Sequence, residues 1–183
     1  MLFLVSKHET QWYALAMLRG EDVIVLLDLC GAEDPVTVRA VAARTLLPIA
    51  NVQRSLRRLE EARLIAGRRP LRGNAAEFLR HALPYALPAT PGGETRGVPT
   101  AWAAEPLASA LTAPGPLPPV WADPAGTVRG LAVPPLHRVA PRLAVERPAL
   151  GEQLALVDAI RMGEARTRTL ATRLLFDRIG LGR

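Results

Sequence analysis

At 183 residues the chain can bury a real core, either as one domain or as two small ones. Its formal net charge of +6 suits an anionic partner, and its basic side chains are 22 arginines against a single lysine, Lys7. No stretch approaches the ~20 apolar residues of a membrane span, MLFLV at the start is too short for a signal-peptide core, and the lone Cys30 excludes an intramolecular disulfide. The sequence thus reads as a soluble, reducing, bacterial cytoplasmic protein. GC-rich coding also favours arginine, so the arginines carry meaning only through where they fall.

Residues 1–18 read as an N-terminal arm with Trp12, Tyr13, Leu15 and Leu18. The first sixteen are either an extra arm or the product of an upstream start codon. From Glu21 to Leu29 apolar residues nearly surround the helix, which predicts one buried between other elements, with Cys30 as a buried thiol. Thr37 is a good N-cap for a short helix over Val38 to Thr45, where Val38, Val41 and Ala42 share a face. After a break at Leu46 and Leu47, a second helix starts near Pro48, a residue suited to a first turn. Two short helices joined by about four residues have the spacing of a helix-turn-helix.

In the second helix, at 100° per residue, Val52, Leu56 and Leu59 form the buried stripe. The opposite side presents Ala50, Gln53, Arg54 and Arg57: a small residue that permits close approach, one amide and two guanidiniums. Such side chains hydrogen-bond base edges and phosphates in a major groove. Arg58 turns toward the helix flank, as does Ser55, and Glu60 and Glu61 sit at the far end, away from the half that contacts bases. LIAGRRPLRG then predicts a β-hairpin with a basic tip, the wing of a winged helix. From Val36 to Arg80 there are ten arginines against three acids, while the remaining segments are close to neutral.

Fourteen of the 17 prolines fall between Pro84 and Pro148, which excludes long helices in the middle segment, residues 84–147. Trp102, Trp121, Val120, Val128, Leu131 and Val133 nevertheless argue for ordered packing. VWADPAGTVRGLAV predicts a hairpin around Asp123-Pro124-Ala125-Gly126, a favourable type I turn. Residues 148–183 predict a helical hairpin. Leu150, Leu154 and Val157 mark its first helix, Gly163 its stop, and Leu170 and Leu174 its second helix, with Arg166, Arg168, Arg173 and Arg178 around them. A solvated basic face, a dimer contact and a second DNA contact are the alternatives for this hairpin, and its apolar stripes are the favoured dimer surface, ahead of the N-terminal segment with Trp12, Tyr13, Leu15 and Leu18.

TVRAVAARTLLPIANVQRSLRRLEEARLI resembles the helix-turn-helix and start of the wing in bacterial winged-helix regulators of the MarR-like type. The resemblance covers Arg19 to Arg80. It implies a cap at Thr37, DNA contacts from Gln53, Arg54 and Arg57, and wing contacts from Arg68, Arg69 and Arg72. The sequence departs from the pattern at Arg63 and at Leu46, where the family commonly has glycine. MarR-like proteins end in long dimerisation helices, which the proline-rich segment of this chain cannot build.

Chemistry-bearing residues are sparse. His8, His81 and His137 are far apart and lack partners at metal-ligand spacing, with His81 reading as a helix-end residue. Ser6, Ser55 and Ser109 lie in no nucleophile elbow, and TPGGETRG lacks the lysine of a phosphate loop. The expectation is therefore a non-enzymatic protein without cofactor or metal, mainly α with small β. It comprises the arm (1–18), a winged helix-turn-helix (19–83), the proline-rich segment with a β-hairpin (84–147) and the helical hairpin (148–183). The expected function is sequence-specific binding of double-stranded DNA by a homodimeric transcriptional regulator on a palindromic operator. The candidate DNA-binding residues are Thr37, Arg39, Ala50, Asn51, Gln53, Arg54, Arg57, Arg68, Arg69 and Arg72. The alternative is an antitoxin-like module that neutralises a partner enzyme and represses its own operon.

Overall fold

The computed structural model describes residues 18–32, 36–112 and 115–182. The expected arm with Trp12, Tyr13 and Leu15 lies outside them. The described chain is mainly helical with a small amount of sheet. Helix α1 (Gly20–Cys30) is buried on nearly every side, as its unbroken apolar run predicts, and the Cys30 thiol is pushed up to about 12 by that burial. Helix α2 (Val38–Thr45) begins at Thr37, whose hydroxyl oxygen accepts from the Ala40 amide at 3.2 Å. Leu46 then adopts a left-handed conformation (φ 55°) and turns the chain into α3 (Ile49–Glu61).

Helix α3 ends in a Schellman motif. Leu64 N–H donates to Leu59 O and Arg63 N–H to Glu60 O, with Arg63 left-handed at φ 56°. The two positions that depart from the MarR-like pattern thus take the backbone conformation for which glycine is best suited. A short antiparallel hairpin follows, β1 (Ile65–Ala66) and β2 (Arg69–Pro70), turning through Gly67 at φ 62°.

From Arg72 to Ala86 the chain is continuously helical: α4 (Arg72–Glu77), a π turn (Phe78–Ala82) and α5 (Leu83–Ala86). Pro84 has no N–H to donate, and the widened turn just before it, with Leu83 N–H reaching Phe78 O, lets the helix pass through the proline. His81 therefore sits inside a helical run and not at a helix end.

The middle segment departs from expectation. Its strands are β3 (Glu94–Pro99), β4 (Pro119–Ala122) and β5 (Val128–Ala132). The turn at Asp123–Gly126 forms, with Gly126 N–H donating to Asp123 O and Ala125 N–H to Asp123 Oδ1. Yet β4 and β5 are not an antiparallel hairpin. Both pair antiparallel with β3, and they meet each other in parallel at Pro119↔Leu131 and Val120↔Ala132, closing a three-stranded barrel. The connection crosses over β3 because two glycines let backbone touch backbone. A Cβ on Gly126 would lie 2.3 Å from the Gly97 carbonyl carbon, and one on Gly97 would lie 2.0 Å from Trp121 O.

A 3₁₀ turn (Ala101–Ala103) and the short helix α6 (Leu107–Ala110) follow β3, and α7 (Ala140–Glu146) follows the barrel. The two C-terminal helices form as predicted, α8 (Pro148–Met162) and α9 (Ala165–Ile179), with Gly163 ending the first. The stripe of α8, however, does not face out. Helix α8 packs against α9, α7, α5, α1 and the 3₁₀ turn, and Leu154 and Val157 are 1% and 0% exposed. The α8 half of the expected dimer surface is thus buried within the chain, where α8 is the central strut of one apolar cluster running from Leu18 to Leu181, whereas Leu170 and Leu174 of α9 stay half-buried.

A buried polar hub fixes the middle segment to this strut. Asp158 of α8 accepts from Thr100 Oγ1 (2.9 Å), Trp121 Nε1 (2.6 Å) and Arg161 Nη1 (2.5 Å). Arg161 in turn donates to the carbonyls of Leu87, Pro88 and Pro134. Burial pushes the Asp158 carboxyl above its usual range, opposed by the guanidinium of Arg161 and the two neutral donors. Among the described residues no helix is long and apolar enough to cross a membrane.

Candidate nucleic-acid interface

The outward face of α3 is set by what its inward face must satisfy. Val52 and Leu59 are fully buried and Leu56 is half-buried, as the stripe predicts. Ala50, Gln53, Arg54 and Arg57 are exposed together on the other side, with Ile49 46% exposed at the start of the helix. Arg57 makes only a loose contact with Glu61 at 3.9 Å, so its guanidinium stays available.

Arg58 is a correction to the sequence reading. It is not a flank residue but is 8% exposed and pinned between two acids of α1. Its Nε and Nη2 engage Asp22 at 2.8 and 2.6 Å, and Nη2 also reaches Glu21 at 2.7 Å. The Asp22 carboxylate, then Glu21, holds this guanidinium above even its ordinary high pKa, against the opposing effect of burial. Ser55, read as a flank residue, is buried beside it. Asp22 also accepts from the Arg19 amide at 2.8 Å, so one carboxylate caps α1 and anchors α3. A second fork, Arg44 on Asp28 at 2.7 and 2.8 Å, joins α2 to α1.

The cluster continues outward. Asn51 Nδ2 donates to Glu21 Oε2 at 2.7 Å, and Asn51 Oδ1 accepts from Arg54 Nη2 at 2.7 Å. Asn51 is therefore half-buried with its amide engaged, a holder of Arg54 more than a free contact. A relay runs from the core to the surface: Asp22 and Glu21 hold Arg58, and Glu21 leads through Asn51 to Arg54. Sequence reasoning missed its first two members, although two acids opening a fully buried helix were the signal that a cation must meet them.

The hairpin carries Arg68 and Arg69 exposed near its tip. Glu60, read only as an acid kept out of the way, accepts from the Gly67 amide at 2.8 Å and fastens the tip to α3. Arg72 does not belong with the other two. It opens α4, and its Nη1 donates to Gly180 O at 2.7 Å, beyond the end of α9. Thr37 and Arg39 are both exposed at the start of α2, on the element preceding α3. The structure therefore gathers Ala50, Gln53, Arg54 and Arg57 on one helix face, with Asn51 supporting it and Arg72 directed elsewhere.

No known protein family, curated protein or solved structure matches this chain. Among the described residues no group of three or more His, Cys, Asp or Glu gathers where it could hold a metal ion.

Proposed function

We propose that residues 19–83 are a winged helix-turn-helix and that the protein is a cytoplasmic, sequence-specific regulator that binds double-stranded DNA as a homodimer. In this reading α3 enters the major groove by its N-terminal half, and the β1–β2 hairpin is the wing. The sorting of the arginines of α3 carries the reading. Arg58 is withdrawn into the core by acids of α1, while Arg54 and Arg57 are left outside beside Gln53 and Ala50. A merely solvated basic helix needs no such division, whereas a base-reading face needs forked donors held in fixed directions. The left-handed residues at Leu46 and Arg63, where MarR-like regulators commonly have glycine, support the same reading.

One helix offering three or four base contacts discriminates too little among genomic sites, so two copies act together on half-sites about 34 Å apart. Because Leu154 and Val157 are interior, the two copies join through a face other than the α8 stripe. Selection of bound sequences from random DNA tests the proposal. It should return a two-fold symmetric motif, and light scattering should give a dimer at micromolar concentration. Enrichment of no motif, with binding that depends on salt alone, would overturn the sequence-specific reading.

A further inference from the structure

Four arginines outside the three-helix unit sit on carboxylates: Arg129 on Glu94, Arg142 on Glu146, Arg161 on Asp158 and Arg178 on Glu152. Others do not, and three of those share one concavity. Arg80 of the π turn and Arg168 and Arg173 of α9 line one groove of about 520 Å³ together with His81. Among the described residues none of the three makes an ion pair. Arg168 reaches the Gly163 carbonyl by Nη2 at 3.1 Å, but its Nε is buried with no hydrogen-bond partner. Arg80 lies over the Phe176 ring, 5.0 Å from its centroid, which fixes the plane of its guanidinium and leaves the donor edge uncommitted. The groove's one carboxylate, Asp177, leaves the set net positive.

Like charges gathered in a concavity repel one another, and an unpaired buried donor costs free energy. The repulsion falls when an anion with several acceptor oxygens enters. We propose that the groove between the π turn and α9 binds the phosphate group of a small metabolite. A carboxylate can satisfy one guanidinium fork, whereas three cations lining one groove suit a dianion with three equivalent oxygens. The volume exceeds that of a bare phosphate and lies in the range of small-molecule sites, so the group is the anchored end of a larger ligand. This site is independent of the DNA reading, since none of its residues lies on α3 or on the hairpin.

Isothermal titration of the full chain with inorganic phosphate, pyrophosphate and acetate tests the proposal. Phosphate and pyrophosphate should bind saturably at one per chain, and acetate at least about tenfold more weakly. Arg80→Gln and Arg173→Gln, both at exposed positions, should each weaken phosphate binding about tenfold, the cost of one charge-assisted contact. Arg178→Gln, on the same helix but paired with Glu152, should leave it unchanged. Absence of saturation up to about 10 mM phosphate overturns the site, because weaker binding is not specific. So does an equal loss in Arg178→Gln, which would mean a generic cationic surface. A silent titration accompanied by a lower salt slope of DNA binding in Arg80→Gln and Arg173→Gln would reassign the groove to DNA phosphates and end the proposal.

Discussion

Two charged clusters are buried among the described residues, and they are built to opposite ends. The Asp158–Arg161 hub is closed. Its bonds end on Thr100, Trp121 and the backbone carbonyls of Leu87, Pro88 and Pro134, and none of them leads on to a further side chain at the surface. The Asp22–Glu21–Arg58 cluster is open at one end, leading through Asn51 to Arg54 on the surface. A closed cluster can only hold elements together. An open one also transmits order from the core to an exposed side chain, and limits the rotamer entropy Arg54 has left to lose on contact with a ligand.

The largest effect separating the two should come from Asp158→Ala. It strands the Arg161 guanidinium, an indole N–H and a hydroxyl in the core, at a cost of about 3–5 kcal/mol by urea denaturation. A loss below about 1 kcal/mol would mean that water replaces the carboxylate and that the hub is not closed. Arg58→Ala should cost about 3 kcal/mol, somewhat less, because Asp22 and Glu21 keep partners in the Arg19 amide and Asn51.

Next in size are effects on DNA binding at fixed stability. Arg54→Ala and Arg57→Ala should each weaken specific binding by about 1–3 kcal/mol while leaving the unfolding midpoint nearly unchanged. Glu21→Ala then sharpens the comparison. It removes the acceptor that orients Asn51, so specificity at the base read by Arg54 should fall although Glu21 itself is distant from any base. If Glu21→Ala alters stability alone, the open cluster is no relay. Replacing Arg68 and Arg69 with alanine should lower the salt slope by about 0.9 for each DNA phosphate no longer neutralised, with sequence preference intact. Arg72→Ala should leave the slope unchanged, since its guanidinium is on Gly180.

Features fixed by neighbours in sequence were legible in advance: the buried α1, the Thr37 cap, the Val52–Leu56–Leu59 stripe, the turn at Asp123–Gly126 and the stop at Gly163. What escaped depended on distant partners. The strands flanking the DPAG turn read correctly as strands, but β3, with which both pair, lies upstream of them, and no local signal states that it threads between them. Arg58 looked like a flank residue because helical periodicity records angle and not the acids 36 and 37 residues away that draw it inward. The stripe of α8 was visible, whereas its occupant, the chain itself, was not.

The smallest predicted effect concerns a position where sequence alone had only noted a departure. Arg63 is exposed and left-handed, and that conformation costs an L-residue more than glycine loses in chain entropy. Arg63→Gly should therefore raise stability by about 0.5–1 kcal/mol in thermal melts, without altering the hairpin. A decrease would mean that the arginine side chain makes compensating contacts.

The single thiol provides a clock for the interior. Cys30 ends the most enclosed helix, and with its pKa near 12 almost no thiolate exists in the folded chain at neutral pH. A thiol-modifying reagent can react only with molecules whose core has opened. In dilute reagent the labelling rate follows the population of opened chains, and in excess reagent it reaches the opening rate itself. The native sequence thereby reports its own breathing without an engineered probe, and the same cuvette can show whether DNA or phosphate slows it.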